Sequence, residues 1–212
     1  MRFDALLFDL DGTLVDSERV ALESGDHAFR AMGHHDASPL LHSLIGVDQP
    51  TASERIRQAL PAIDLVALQD LWSARFDEMM RHHVPLKPDV QALLGGLMQT
   101  HALALVTSSG RESALDRINR AGLAPSFRTV VTRDDVTAPK PAPDPYLLAA
   151  ERLGAHPSRC LVFEDSEPGT EAAHRAGMTV VHVPDIVPAS GRYSHHIARD
   201  IAAGLRWAGL LT

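Results

Sequence analysis

The sequence is poor in cysteine. Its 212 residues hold one, Cys160, which excludes an internal disulfide framework and a thiolate zinc cluster. That usage points to a reducing compartment. Basic blocks are missing as well. Twenty Lys and Arg stand against 27 Asp and Glu, giving a formal net charge of −7. No run of positive charge breaks this balance, so neither a nucleic-acid surface nor an anionic-membrane surface is expected. Long apolar runs are also absent. Stretches such as Ala102 to Val106 fall far short of the ~20 residues that cross a bilayer. Asp9 and Asp11 interrupt the first apolar stretch before it could serve as a signal segment. No internal repeat and no low-complexity tract is visible. These absences leave a soluble protein expected in the cytoplasm.

What is present falls into two textures. At about 150 residues per domain, the length corresponds to roughly 1.4 domains, so one domain with an insertion, or two small domains, is expected. Residues 1–14 and 86–212 alternate short β-rich runs with helical patterns. Ala5 to Phe8, Ala102 to Val106, Thr129 to Val131, Cys160 to Phe163 and Thr179 to Val183 all read as strands. Continuous apolar runs of that length suit strands buried on both faces, as in a parallel sheet. Between them, Val90, Leu93, Leu94 and Leu97 keep helical spacing. Asp144 reads as the N-cap of a helix with Pro145 at its first position and Gly154 as its stop, Thr170 to Ala176 forms another that Gly177 ends, and Ile197 to Leu211 reads as a last one. Strand and helix in alternation predict an α/β fold with a doubly wound parallel sheet.

Residues 15–85 show helical patterns only. Val20, Phe29 and Met32 suggest a first helix. Thr51-Ala52-Ser53-Glu54 fits a capping box. Leu65, Leu68, Trp72, Phe76 and Met79 form an apolar stripe after Asp64, an N-cap. A helical insertion after the first strand leaves the sheet at its carboxyl end, where ligands of such sheets bind. It therefore reads as a lid or cap domain.

The chemistry-bearing residues follow the strands. The first strand runs into Asp9-Leu10-Asp11-Gly12-Thr13, two carboxylates and a glycine that permits a sharp turn. The second runs into Thr107-Ser108-Ser109-Gly110, hydroxyls followed by a helix start, which favours an anion. Lys140 stands in a proline-stiffened loop. The strand ending at Phe163 runs into Glu164-Asp165-Ser166. In a parallel sheet these ends share one edge. Asp9, Asp11, Glu164 and Asp165 would then crowd together, and a hard divalent cation such as Mg²⁺ would relieve their repulsion. With hydroxyls, backbone amides and one ammonium beside them, the set fits a phosphate dianion, and a carboxylate nucleophile is chemically reasonable.

These four motifs, in this order and spacing, resemble the haloacid dehalogenase-like phosphohydrolase superfamily, in the subgroup with a helical cap after the first motif. Its members similar to this chain include β-phosphoglucomutases, sugar-phosphate phosphatases and phosphoglycolate phosphatases. The resemblance implies a Rossmann-like core at 1–14 and 86–212 and a cap at 15–85. It implies that Asp9 is the nucleophile and Asp11 the general acid and base. Thr107 and Ser108 would hold the phosphoryl group, and Lys140 would orient Asp9. Mg²⁺ would be held by Asp9, Asp165 and the Asp11 carbonyl, with Glu164 either a direct ligand or one step behind it. Gly46, Gln49 and Arg75 are the candidate substrate contacts of the cap.

Asp11 separates phosphate-ester chemistry from the dehalogenases and phosphonoacetaldehyde hydrolases, which the resemblance gives a tyrosine and an alanine there. The mutase pattern places a histidine where this chain has Ala21, and a phosphate-gripping arginine where it has Gln49. An amide cannot pair with a dianion as a guanidinium does. The expected function is therefore a Mg²⁺-dependent phosphatase of a small phosphorylated metabolite. A phosphosugar mutase is the first alternative, and a non-catalytic binding module of the same fold is the second. The twelve histidines include three adjacent pairs, His34-His35, His82-His83 and His195-His196. None shows the i, i+4 spacing of a helical zinc site.

Overall fold

The computed structural model describes residues 3–45, 47 and 49–211. Gly46, expected to contact substrate, lies outside the described residues, and so does the side chain of Gln49. The five apolar runs become β1 (Ala5–Phe8), β2 (Ala102–Val106), β3 (Thr129–Val131), β4 (Cys160–Glu164) and β5 (Thr179–His182), joined by a two-residue β6 (His196–Ile197). Helices α1 (Ser17–Ala31), α2 (Ser38–Ser43), α3 (Gln49–Ala59) and α4 (Leu65–His82) follow β1, and α5 (Val90–Leu97) precedes β2. Then come α6 (Arg111–Arg120), α7 (Asp144–Leu153), α8 (Glu167–Arg175) and α9 (Ile201–Trp207). No helix among the described residues is long and apolar enough to cross a membrane.

The chain divides into two compact units, Met1–Asp16 with Pro85–Thr212, and Ser17–Val84. The first is one sheet of order β3-β2-β1-β4-β5-β6, parallel throughout. Every side chain of β1 is fully buried. A buried Leu or Phe contributes about 1.5–3 kcal/mol, so this strand anchors the unit from both faces. On one face Ala5 and Leu7 join a core with Tyr146, Ala149 and Ala150 of α7 and Ala172 and Ala173 of α8. On the other, Phe8 stacks on Phe163 with ring centroids 5.1 Å apart, and Gly204 lets α9 lie against Phe163 and Val181. Helices on both faces make the doubly wound α/β fold.

The second unit is helical. Phe29 of α1 meets Trp72 of α4 edge-on, with centroids 6.1 Å apart, in a core with Ala28, Leu41, Ile56 and Leu68. The Trp72 indole N–H donates to the Ala21 carbonyl at 2.9 Å, which satisfies its polar end. Asp64 caps α4 as expected, accepting from the amides of Val66 and Ala67.

Four helix starts differ from the sequence reading. Helix α3 begins at Gln49 with Pro50 in its first turn, so Thr51 lies inside the helix and is not its N-cap. Helix α7 begins at Asp144 itself, after Pro143, with no side-chain cap bond. Helix α8 begins three residues earlier than read, at Glu167, because the Ser166 hydroxyl accepts from the Gly169 amide. Helix α9 begins at Ile201, where Asp200 accepts from the Ala203 amide at 2.6 Å, and Ile197 belongs to β6 instead.

Candidate active site

The site grows from the register of the sheet. Phe8 pairs with Leu105 on β2 and with Phe163 on β4. The chain continues one residue past the strand, and the Asp9 amide donates to the Phe163 carbonyl at 3.0 Å. Asp9 therefore stands at the centre of the carboxyl edge, flanked by the ends of its two neighbours. It is 6% exposed. Beyond it Gly12 takes φ +82°, and a Cβ there would fall 2.2 Å from Asp165 Oδ2. Only glycine lets the turn after β1 come this close to the β4 carboxylate.

Lys140 reaches into this edge from the loop before α7. Its ammonium donates to Asp9 Oδ1 at 2.7 Å, to Glu164 Oε1 at 2.5 Å and to the Val106 carbonyl at 3.0 Å. Three acceptors use all three of its protons. Glu164 is fully buried and fully engaged. Tyr146 donates its hydroxyl to Oε1 at 3.0 Å, while the Ser166 amide and hydroxyl donate to Oε2 at 3.0 and 2.9 Å. Asp165 accepts from the Thr13 hydroxyl at 3.3 Å, and His182 Nε2 donates to its backbone carbonyl at 2.7 Å.

Asp9, Glu164 and Asp165 bring one carboxylate oxygen each within 4.8 Å of one another. Their electrostatics follow from burial. Desolvation, with the charges of Glu164 and Asp11 adding to it, pushes the Asp9 carboxyl up to about 8 despite Lys140. Desolvation, then Glu164 and Asp9, pushes Asp165 up to about 9. Burial acts on Glu164 in the same direction, but the Lys140 ion pair and the Ser166 bonds outweigh it and hold its carboxyl below the ordinary value. Burial opposes the charge of Lys140, yet Asp9 and Glu164 outweigh it and raise the ammonium pKa. Ionising all three acidic groups around one ammonium would leave a surplus of negative charge, which a hard cation would neutralise. The all-oxygen donor set fits Mg²⁺ at Asp9 and Asp165. Glu164, with both oxygens already bonded, fits a supporting position behind Lys140.

Asp11 lies apart from this group. Its Oδ1 accepts from Arg117 Nη1 at 2.6 Å and its Oδ2 from the Ser109 hydroxyl at 2.8 Å. Thr107 is buried at the end of β2; its amide donates to the Val131 carbonyl at 2.9 Å and its hydroxyl accepts from the Ser109 amide at 3.0 Å. Ser108 beside it is exposed. In the helical unit, Arg75 pairs with Glu78 on the same helix at 2.7 Å.

The sequence reading did not single out Tyr146, His182 or Arg117. Tyr146 reads as a helix-core aromatic, and only the fold shows that its hydroxyl points at Glu164. His182 lies inside the apolar run Thr179 to Val183, and only the fold sets its ring against the Asp165 carbonyl. Arg117 falls on a helix that carries none of the four motifs.

The model of the haloacid dehalogenase-like hydrolase family matches residues 6–183. The chain belongs to that family. It is 32% identical over 183 residues to a phosphorylated carbohydrates phosphatase of Thermotoga maritima, covering 84% of each chain. It is 32% identical over 187 residues to the fructose-1-phosphate phosphatase of Escherichia coli K12, covering 86% of this chain and 97% of that one. Among solved structures, a hydrolase of the same family from Deinococcus radiodurans R1, with bound phosphate and sodium, superposes with a TM-score of 0.84 at 28% identity, covering 99% and 98% of the two chains.

Proposed function

We propose that this haloacid dehalogenase-like hydrolase removes the phosphoryl group from a small phosphorylated metabolite, a sugar phosphate or a phosphoglycolate-like acid. The enzyme class is phosphoric monoester hydrolase. One observation carries the reading: a single buried ammonium, Lys140, holds Asp9 at the centre of the sheet's carboxyl edge, beside Asp165 and above Glu164. A carboxylate oriented so firmly at a ligand-binding edge suits a nucleophile.

In the first half-reaction an Asp9 oxygen attacks phosphorus, and the bond from phosphorus to the ester oxygen breaks. Asp11 gives its proton to that leaving oxygen, which departs as an alcohol. In the second, a water attacks the aspartyl phosphate and Asp11 takes its proton. The bond from phosphorus to Asp9 breaks, releasing inorganic phosphate and restoring both aspartates. Thr107 and the Ser108 amide hold the phosphoryl oxygens while Lys140 orients Asp9 and offsets charge, so the protein contributes mainly positioning and charge. Mg²⁺, held by Asp9, Asp165 and the Asp11 carbonyl, would neutralise the charge of the phosphate. Glu164 keeps Lys140 in place.

The helical unit serves as the cap that selects substrate, through Gly46, Gln49 and Arg75, and the protein works in the cytoplasm. Support for hydrolysis over phosphoryl transfer to a second sugar comes from Ala21 and Gln49, and from the relatives named as phosphatases. The test is a phosphate-release screen of the purified protein against phosphorylated metabolites, with Mg²⁺ and with excess chelator. Phosphate release that needs Mg²⁺ is the expected result. No release from any monoester would overturn the proposal, and full release in chelator would remove the metal from it.

A further inference from the structure

Two carboxylates stand two residues apart after β1, and only one of them joins the acidic group. The structure holds the other away from it by a residue outside the four motifs. Arg117 sits on α6 with its side chain 14% exposed, and its Nη1 lies 2.6 Å from Asp11 Oδ1. The second Asp11 oxygen accepts from Ser109, in the loop between β2 and α6. Both oxygens are thus held from the same side, by the segment that runs from β2 into α6. The Ser109 bond alone leaves the carboxyl free to turn about its own axis; a second, charge-assisted contact removes that freedom.

Retention on this side matters for the reaction proposed above, on which this inference rests. In an in-line displacement the leaving oxygen departs on the face of phosphorus opposite the attacking group. An Asp11 that turned inward would become a further carboxylate among Asp9, Glu164 and Asp165, and would be lost to the leaving oxygen. With a side chain 32% exposed, it has room to move. We propose that Arg117 is a positioning residue: with Ser109 it keeps the Asp11 carboxyl out of the metal-holding group and available to the leaving oxygen and to the attacking water.

The test compares Arg117→Met, which keeps the length and drops the charge, with Arg117→Lys, which restores the charge. Each is made in the wild type and in Asp11→Asn. The substrates are the best alkyl phosphate from the screen and p-nitrophenyl phosphate, whose leaving group needs no proton. Arg117→Met should lower kcat/KM on the alkyl phosphate by about 10- to 100-fold, within the range of general acid–base effects. Its burst of p-nitrophenolate should stay within roughly threefold of wild type, because that step does not draw on Asp11. Arg117→Lys should recover part of the loss. In the Asp11→Asn background Arg117→Met should have no further effect, since the two changes remove one function. Equal losses on both substrates, or losses that multiply in the double variant, would overturn the proposal and make Arg117 a scaffold or phosphate contact. An Asp11→Asn enzyme with full turnover of the alkyl phosphate would instead sink the acid–base reading itself, and this inference with it. Thermal melts of all variants separate either result from a failure to fold.

Discussion

The two compact units differ in whether they bury charge. In the sheet unit the ion pairs of Lys140 with Asp9 and Glu164 are almost wholly buried. In the helical unit the pairs Arg19–Glu23, Arg30–Asp26 and Arg75–Glu78 lie along single helices with their side chains well exposed, and the interior is apolar. Exposed pairs of this kind contribute about 0–1 kcal/mol, whereas breaking a buried pair costs about 3–5 kcal/mol. The difference teaches that in the sheet unit the same buried charges carry both function and stability, whereas in the helical unit surface charge can be altered at little cost to the fold.

The sharpest break in that comparison is Asp9→Asn. Turnover should vanish while phosphate esters still bind; a quenched-flow search for the aspartyl phosphate should find none, and residual turnover at the wild-type rate would remove Asp9 from the chemistry. Next is Lys140→Met, which leaves Asp9 and Glu164 buried without their counter-charge. The expected loss is about 3–5 kcal/mol in urea denaturation, together with activity. A stable, inactive variant would show that water enters the edge and screens it.

Phe29→Ala probes the other unit. Truncating a fully buried Phe should cost about 3–5 kcal/mol, read first as loss of amide protection in α1 and α4. If protection in β1 and β4 falls equally, the two units unfold as one. A smaller effect is expected from acid. Burial alone would raise the carboxyl of Asp135, but bonds from Arg152 and Thr132 outweigh it and hold it down at about 2. A carboxyl lowered by folding contributes stability that is complete above its ordinary value near 3.9 and is lost as pH falls toward 2. Two units of lowering correspond to about 2–3 kcal/mol. Urea midpoints between pH 2 and 5 should fall more steeply in wild type than in Asp135→Asn; parallel curves would exclude this group. The smallest effect should come from Arg75→Ala, with less than about 1 kcal/mol of stability at stake. A tenfold fall in kcat/KM at unchanged stability would make Arg75 a substrate contact and carry function into the helical unit.

The sheet was readable from sequence because its central strands β1, β2 and β4 are buried on both faces and so appear as nearly unbroken apolar runs. The pair His196–Ile197 escaped because two residues, one of them polar, show no period at all. The helix starts slipped where capping was ambiguous: Thr51-Ala52-Ser53-Glu54 has the spacing of a capping box, but Pro50 had already set the first turn. At the site, Asp9, Lys140, Glu164 and Asp165 were visible because each follows a strand or sits in a stiffened loop. Tyr146, His182 and Arg117 were not, since their partners at Glu164, Asp165 and Asp11 are neighbours only through the parallel crossovers.

The strand order has a consequence for the newborn chain. β1 leaves the ribosome before any of the strands beside it, yet β2 does not begin until Ala102 and β4 not until Cys160. Contacts this distant form late, because the ends of a long loop must first find each other. Until β4 has been synthesised, Asp9 has no Glu164 or Asp165 beside it, and the first strand is an apolar segment with one open edge. The full set of Asp9, Lys140, Glu164 and Asp165 therefore cannot come together until β4 has been made and takes the slot beside β1.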